Sequence, residues 1–336
     1  MTESIITYRP ITKYIAAILL GTLGSVILGY ILSDYIFSLA IGDLLINFTV
    51  FVAIPLLLTI AGFSIGWNGK KNAVDYNEPK WEYEPAQFSI EDTEKMYKEH
   101  KRKYWRMVAN SNYWIFFIPV ALLIFMAALP VYLMVEAPSL APLDKLMFSL
   151  SLGLSFTVAS VGSLRATSNS ASDDFTILLV REAVKLAKAQ EGIPGITNIR
   201  IIFDKAEKDG FSIYDAPRVV SRISGIEREG YIESWTEDIG AVNRVLCRLY
   251  KFEEHPEVVW WWFSEDRYFR KYPEEDKTGY YVKYPLSHKS GNPGVKDPRR
   301  VIENAVAIMI LEWFHTRGER EDLSGFLESL GVESRE

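Results

Sequence analysis

Residues 14–32 read YIAAILLGTLGSVILGYIL, a run without a single Asp, Glu, Lys, Arg or His. Crossing about 30 Å of hydrocarbon takes roughly 20 helical residues, and inside lipid every backbone N–H and C=O must be bonded within its own segment. Three further runs meet the same test: Leu44 to Gly66, Tyr113 to Val135 and Leu146 to Leu164. The sequence therefore predicts a polytopic α-helical membrane domain of four transmembrane helices over residues 1–169. A C-terminal cytoplasmic α/β domain, mostly helical, is expected over 170–336. A cleavable signal peptide competes for residues 1–40, because Ser38-Leu39-Ala40 resembles a cleavage site. Its apolar run is longer than the roughly 7–15 residues usual for such a signal.

Composition separates the same two halves. Of 37 basic and 43 acidic residues, 13 and 13 fall in residues 1–169, leaving 24 and 30 for the rest. The net charge of −6 argues against a general nucleic-acid binder, which carries a basic excess. A single cysteine, Cys247, excludes an intrachain disulfide or a multi-cysteine metal site.

Orientation follows from the basic residues that flank the runs. Arg9 and Lys13 precede the first, Lys70, Lys71, Lys101, Arg102, Lys103 and Arg106 lie between the second and third, and Arg165 follows the fourth. The short loops between carry Asp34, Asp43, Glu136 and Asp144, with Lys145 as the one base. A cell-membrane, multi-pass protein with N and C termini in the cytoplasm is expected. Lipid is its first partner, with Lys101, Arg102, Lys103 and Arg106 as candidate headgroup contacts.

Helices in lipid associate through small side chains. Ala17, Gly21, Ser25 and Gly29 recur every four residues, as do Ser151, Ser155, Ala159 and Ser163, while the second run contributes Gly62 and Gly66. These are the candidate packing residues, within the chain or in self-association. No run carries the buried ionisable group that proton relays and voltage sensors use.

Residues 67–112 hold 9 basic and 8 acidic residues. Ser89 followed by Asp92 has the spacing of a capping box, opening a helix toward Asn110. Beyond the polar stretch Thr167–Ser170, helices are expected from Asp173 or Asp174 to about Gln190, from Asn198 to Lys208 and from Asp215 to Glu229. Tyr231–Trp235 alternates like a strand. The run Val258–Phe263 is too short to span and reads as a buried strand or docking surface around Trp260, Trp261 and Trp262. Asp297 and Pro298 open a further helix, and Leu323–Leu330 a last one.

The run Arg218-Val219-Val220-Ser221-Arg222-Ile223, followed by Gly225 to Glu233, resembles the recognition helix and wing entry of winged helix-turn-helix domains, over residues 175–250. The resemblance implies a helix from Asp215 to Glu229 presenting Arg218, Ser221 and Arg222 outward. Val242, Val245, Leu246 and Leu249 depart from it, keeping helical spacing where a second wing strand belongs. Residues 170–240 carry 9 basic and 13 acidic residues, a net of −4, so a protein partner is favoured over DNA.

Phosphate-loop, dinucleotide, hydrolase-elbow and zinc-protease signatures are absent from the sequence, and no cofactor or metal site is expected. Glu312 and His315 form one Glu-x-x-His pair without the second that a di-iron bundle needs. The residues point to a membrane-anchored, non-enzymatic adaptor or regulatory protein that binds a protein partner at the membrane surface. The alternatives are a subunit of an oligomeric channel or transporter, a membrane enzyme acting on lipid or nucleotide, and a membrane-tethered transcription factor.

Overall fold

The computed structural model describes residues 4–39, 49–109, 118, 121, 139, 141–236, 242–250, 257–263, 269–273, 280–281 and 298–332. The chain divides into two compact units, residues 1–80 with 101–176 and residues 81–100 with 177–336.

In the first unit a short strand, β1 (Ile6–Tyr8), leads into helix α1 (Thr12–Leu39). A π-helical turn at Thr49–Ala53 opens α2 (Ile54–Lys71), with Pro55 at its start, and β2 (Val74–Tyr76) returns to pair antiparallel with β1. After α3 (Ile90–Lys103), which the two units share, the unit closes with α4 (Ala141–Ala166) and the one-turn helix α5 (Ser172–Phe175).

The expected four-helix membrane domain is corrected here. Among the described residues two helices, over Thr12–Ser33 and Lys145–Ala166, are long and apolar enough to cross a membrane. The second run is not among them: residues 44–48 lie outside the described residues, and the helical part that is described, Thr49–Ala53 with Ile54–Lys71, ends on Asn68, Lys70 and Lys71. The third run, Tyr113 to Val135, lies outside the described residues except at 118 and 121.

The three helices pack by close approach. Gly21 of α1 faces Phe156 and Gly29 faces Ser149, whereas Gly62 of α2 faces Phe156 and Ser160, and Gly66 faces Ser160 and Ser163. Contacts with α4 thus run downward in number along α1 and upward along α2. Hence α4 is antiparallel to α1 and parallel to α2. Hydroxyls bridge the seams: Thr22 and Thr157 lie 2.8 Å apart, Ser149 donates to the Val26 carbonyl at 2.6 Å, and Ser163 to that of Phe63 at 2.9 Å.

The second unit overturns the expectation of a mostly helical domain. It holds an eight-stranded antiparallel sheet in simple sequence order, β3 (Tyr83–Phe88), β4 (Ile196–Lys208), β5 (Phe211–Ile223), β6 (Gly230–Thr236), β7 (Val242–Tyr250), β8 (Glu257–Phe263), β9 (Phe269–Pro273) and β10 (Tyr280–Tyr281). The segments expected as helices at 198–208 and 215–229, and the helically spaced run from Val242 to Leu249, are strands instead, the second becoming strand and turn. The strands at 231–235 and 258–263 stand within β6 and β8.

Helices α6 (Val180–Gln190), α7 (Pro298–Arg317) and α8 (Glu321–Ser329) supply the other half of the core. Leu179, at φ 56°, breaks the helix expected from 173 to 190 into α5 and α6. The inner sheet face contributes Ile201, Phe203, Val219, Ile223, Ile232, Val245, Cys247 and Leu249 to that core, joined by Val184, Leu186, Ala305 and Met309 from the helices. Ser89 caps α3 as expected, accepting from the Asp92 N–H at 3.0 Å.

Candidate ligand groove on the open sheet face

Alternation along a strand sends successive side chains to opposite faces. With Val219, Ser221 and Ile223 turned inward, Arg218, Val220 and Arg222 stand on the other face of β5. There they join Ile202 and Asp204 of β4, Tyr231, Glu233 and Trp235 of β6, and Leu246 and Arg248 of β7 around a groove of about 660 Å³. That volume lies in the roughly 300–1,000 Å³ range of small-molecule sites.

Register arranges the groove in rows. Tyr231 pairs with Arg248, and Arg222 stands one residue beyond the Ser221–Ile232 pair, alongside Tyr231. The next row is Val220, Glu233 and Leu246. Ile202 pairs with Arg218 beyond it.

The two ends differ in charge. Arg218 bridges Asp204 at 2.9 Å and Glu233 at 2.7 Å, with only 18% of its side chain and 12% of Glu233's exposed. Burial raises the Glu233 pKa, against the opposing pull of Arg218 and Arg248. At the other end Arg248 donates to the Tyr231 hydroxyl at 2.7 Å and Arg222 to the Glu227 carbonyl. Burial also pushes the Tyr231 phenol upward, so it stays protonated at neutral pH.

Breaking a half-buried ion pair leaves its partner charged and poorly solvated. Arg218→Met is expected to lower stability by about 2 kcal/mol, read from thermal unfolding in detergent micelles, and to raise the Glu233 pKa further. A carboxyl with a raised folded-state pKa adds stability as pH falls. The Arg218→Met deficit should therefore shrink between neutral pH and about pH 5; a deficit that widens on acidification would contradict the assignment.

The other sequence candidates are dispersed. Ser221 is wholly buried on the core face, away from Arg218 and Arg222. Trp260, Trp261 and Trp262 form the centre of β8, paired in register with Arg248, Cys247 and Leu246. Ser25, Gly29, Gly62, Gly66, Ser155, Ala159 and Ser163 are buried and Ala17, Gly21 and Ser151 partly so. Arg102 and Lys103 are exposed, Lys101 and Arg106 half-buried, with Arg106 over the rings of Tyr8 and Trp105.

Reading 198–208, 215–229 and the run from Val242 to Leu249 as helical hid Asp204 and Arg248, and with them the pairing that brings Tyr231 and Glu233 beside Arg218 and Arg222. The period-two alternation Arg218, Val220, Arg222 was their signal. Cys247 is buried, and burial holds its thiol protonated. Among the described residues no group of three or more His, Cys, Asp and Glu is placed to hold a metal. In comparisons with known proteins, no family model, curated protein or solved structure matches the chain.

Proposed function

We propose that the chain is a membrane-anchored, non-enzymatic adaptor or regulatory protein. Its helices sit in a bilayer with the N terminus and the sheet unit in the cytoplasm, and the open sheet face is its recognition surface. The observation that carries the reading is the bare apolar surface of α1. Only 17% of its most apolar window is buried, with Leu20 69% and Leu23 58% exposed. Soluble proteins rarely leave so continuous an apolar patch in water. Leu57 and Ile60 of α2 and Leu146, Leu150 and Leu154 of α4 are exposed in the same way.

The helix directions support the orientation. Arg9 and Lys13 at the start of α1, Lys70 and Lys71 at the end of α2, and Arg165 at the end of α4 all gather at one end of the bundle. Asp144 and Lys145 stand at the opposite end of α4. Basic residues on one side mark the cytoplasmic face. The small residues that suggested self-association are used within the chain, by the contacts of Gly21, Gly29, Gly62 and Gly66.

Alkaline carbonate washing of membranes tests the anchoring. The full chain should stay in the pellet and be released only by detergent. A Cys247→Ala background carrying Lys208→Cys, at the exposed end of β4, tests the side. A membrane-impermeant maleimide should label it after the cells are broken and not before. Release by carbonate, or labelling from outside intact cells, would overturn the reading.

A further inference from the structure

Resting on the reading of the open face as the recognition surface, we propose that the groove binds a small organic molecule with one anionic group and hydroxyl or ammonium donors, the anionic group seated between Arg222 and Arg248 beside Tyr231. Strand order carries the geometry. Arg222 on β5 and Arg248 on β7 are separated only by β6, which sets their Cα atoms about 9.6 Å apart, two strand spacings. Side chains of arginine length can converge from that separation on one group. The planar guanidinium fork suits carboxylate and phosphodiester oxygens, and the Tyr231 hydroxyl, which accepts from Arg248, adds a polar group.

Charge sets the class of ligand. At the far end Arg218 lies between two carboxylates, so that end carries −1, while Arg222 and Arg248 give the near end +2. The near end therefore takes a single anionic group and the carboxylates take the ligand's donors. A second negative charge would be pushed toward Glu233 and, beyond it, Asp204. Those carboxylates instead accept from hydroxyl or ammonium groups. Val220 and Leu246, on either side of Glu233 in the middle row, offer apolar surface to the ligand's body. A phosphodiester with an amine, either as a free solute or as the headgroup of a bilayer lipid, fits this pattern; inorganic triphosphate does not.

The test is calorimetric titration of the full chain, in an uncharged maltoside detergent, with glycerophosphoethanolamine and with inorganic triphosphate. Saturable binding of the first is expected, weakened at least tenfold by Arg222→Met with Arg248→Met and less by the charge-conserving Arg222→Lys with Arg248→Lys. Lys208→Gln should leave it unchanged. Repeating the titration in nanodiscs with and without phosphatidylethanolamine assigns the source. Competition by the lipid identifies a headgroup site and its absence a site for free solute, and both keep the proposal.

Absence of saturable binding up to about 20 mM, unchanged affinity in the double Met variant, or tighter binding of triphosphate would overturn it. Labelling of Val220→Cys in the Cys247→Ala background separates that failure from failure of the underlying reading. If the position reacts with a small maleimide, the face is open and only the ligand chemistry is wrong. If it does not react, the face is covered and the recognition surface itself is lost.

Discussion

Replacing Gly66 by leucine is expected to prevent the α2–α4 pair from forming. A Cβ at that position would overlap the Ser160 carbonyl oxygen, the Ser163 Oγ and the Leu164 backbone nitrogen. Two of these are backbone atoms, so relief requires moving a helix rather than turning a side chain. Such overpacking costs about 3 kcal/mol or more. Gly21 differs because its neighbour is the Phe156 ring, which can rotate, and Gly24 has nothing within 4 Å. The thermal midpoint in detergent should fall in the order Gly24→Leu, Gly21→Leu, Gly66→Leu, with the first near wild type and the last leaving little folded protein. Equal shifts at all three positions would refute the packing.

Lys70 offers the second large effect. It lies at the polar end of α2, outside both lengths fit to cross a membrane, yet it is 1% exposed. Its ammonium donates to the carbonyls of Trp105 at 3.0 Å and Val108 at 2.7 Å. The same turn is held by Asn169 on the Arg106 carbonyl at 2.7 Å and by Ser172 on that of Met107 at 2.5 Å. Methionine would fill the space and strand two carbonyls, at a cost of about 2–4 kcal/mol.

That cost carries a pH signature. Burial pushes the Lys70 ammonium from its ordinary 10.5 down to about 8. Between those values the unfolded chain holds the proton that the folded chain has released, so stability from this group rises with pH. The neutral amine keeps two N–H donors for its two acceptors. The gap between wild type and Lys70→Met should therefore widen from pH 7 to pH 10, by up to about 3 kcal/mol. A gap that closes instead would show that the positive charge itself holds the turn.

What the sequence made legible is what depends on one unbroken local period. The charge-free stretches gave α1 and α4, the Ser89–Asp92 spacing gave the start of α3, and Asp297-Pro298 gave that of α7. The run at 231–235 reads correctly because β6 alternates without interruption over those residues. Strands β4, β5 and β7 were misread for a common reason. The β4–β5 register shifts between Thr197 and Arg200 and again between Ile202 and Asp204, and the β6–β7 register shifts beside Trp235. Each bulge slips the alternation by a residue, turning period two into something close to 3.6.

Asn198 and Ala216, at φ 48° and 47°, mark the irregular points of β4 and β5, and neither is the glycine that announces such a backbone. Val219 and Ile223, four apart, satisfy both periods at once. The groove shares that fate. Its charged residues come from four strands and meet only through pairing, so spacing along the chain could not assemble them.

The exposed stripe of α1 provides the most direct test of lipid as its solvent. A spin label at Leu23→Cys, in Cys247→Ala protein reconstituted into a phosphatidylcholine bilayer, reports which medium touches that face. Contact with acyl chains predicts fast relaxation by dissolved oxygen and almost none by a water-soluble nickel chelate. Collision with the nickel chelate, or isolation from both reagents, would place Leu23 in water or within protein and contradict membrane anchoring through this helix.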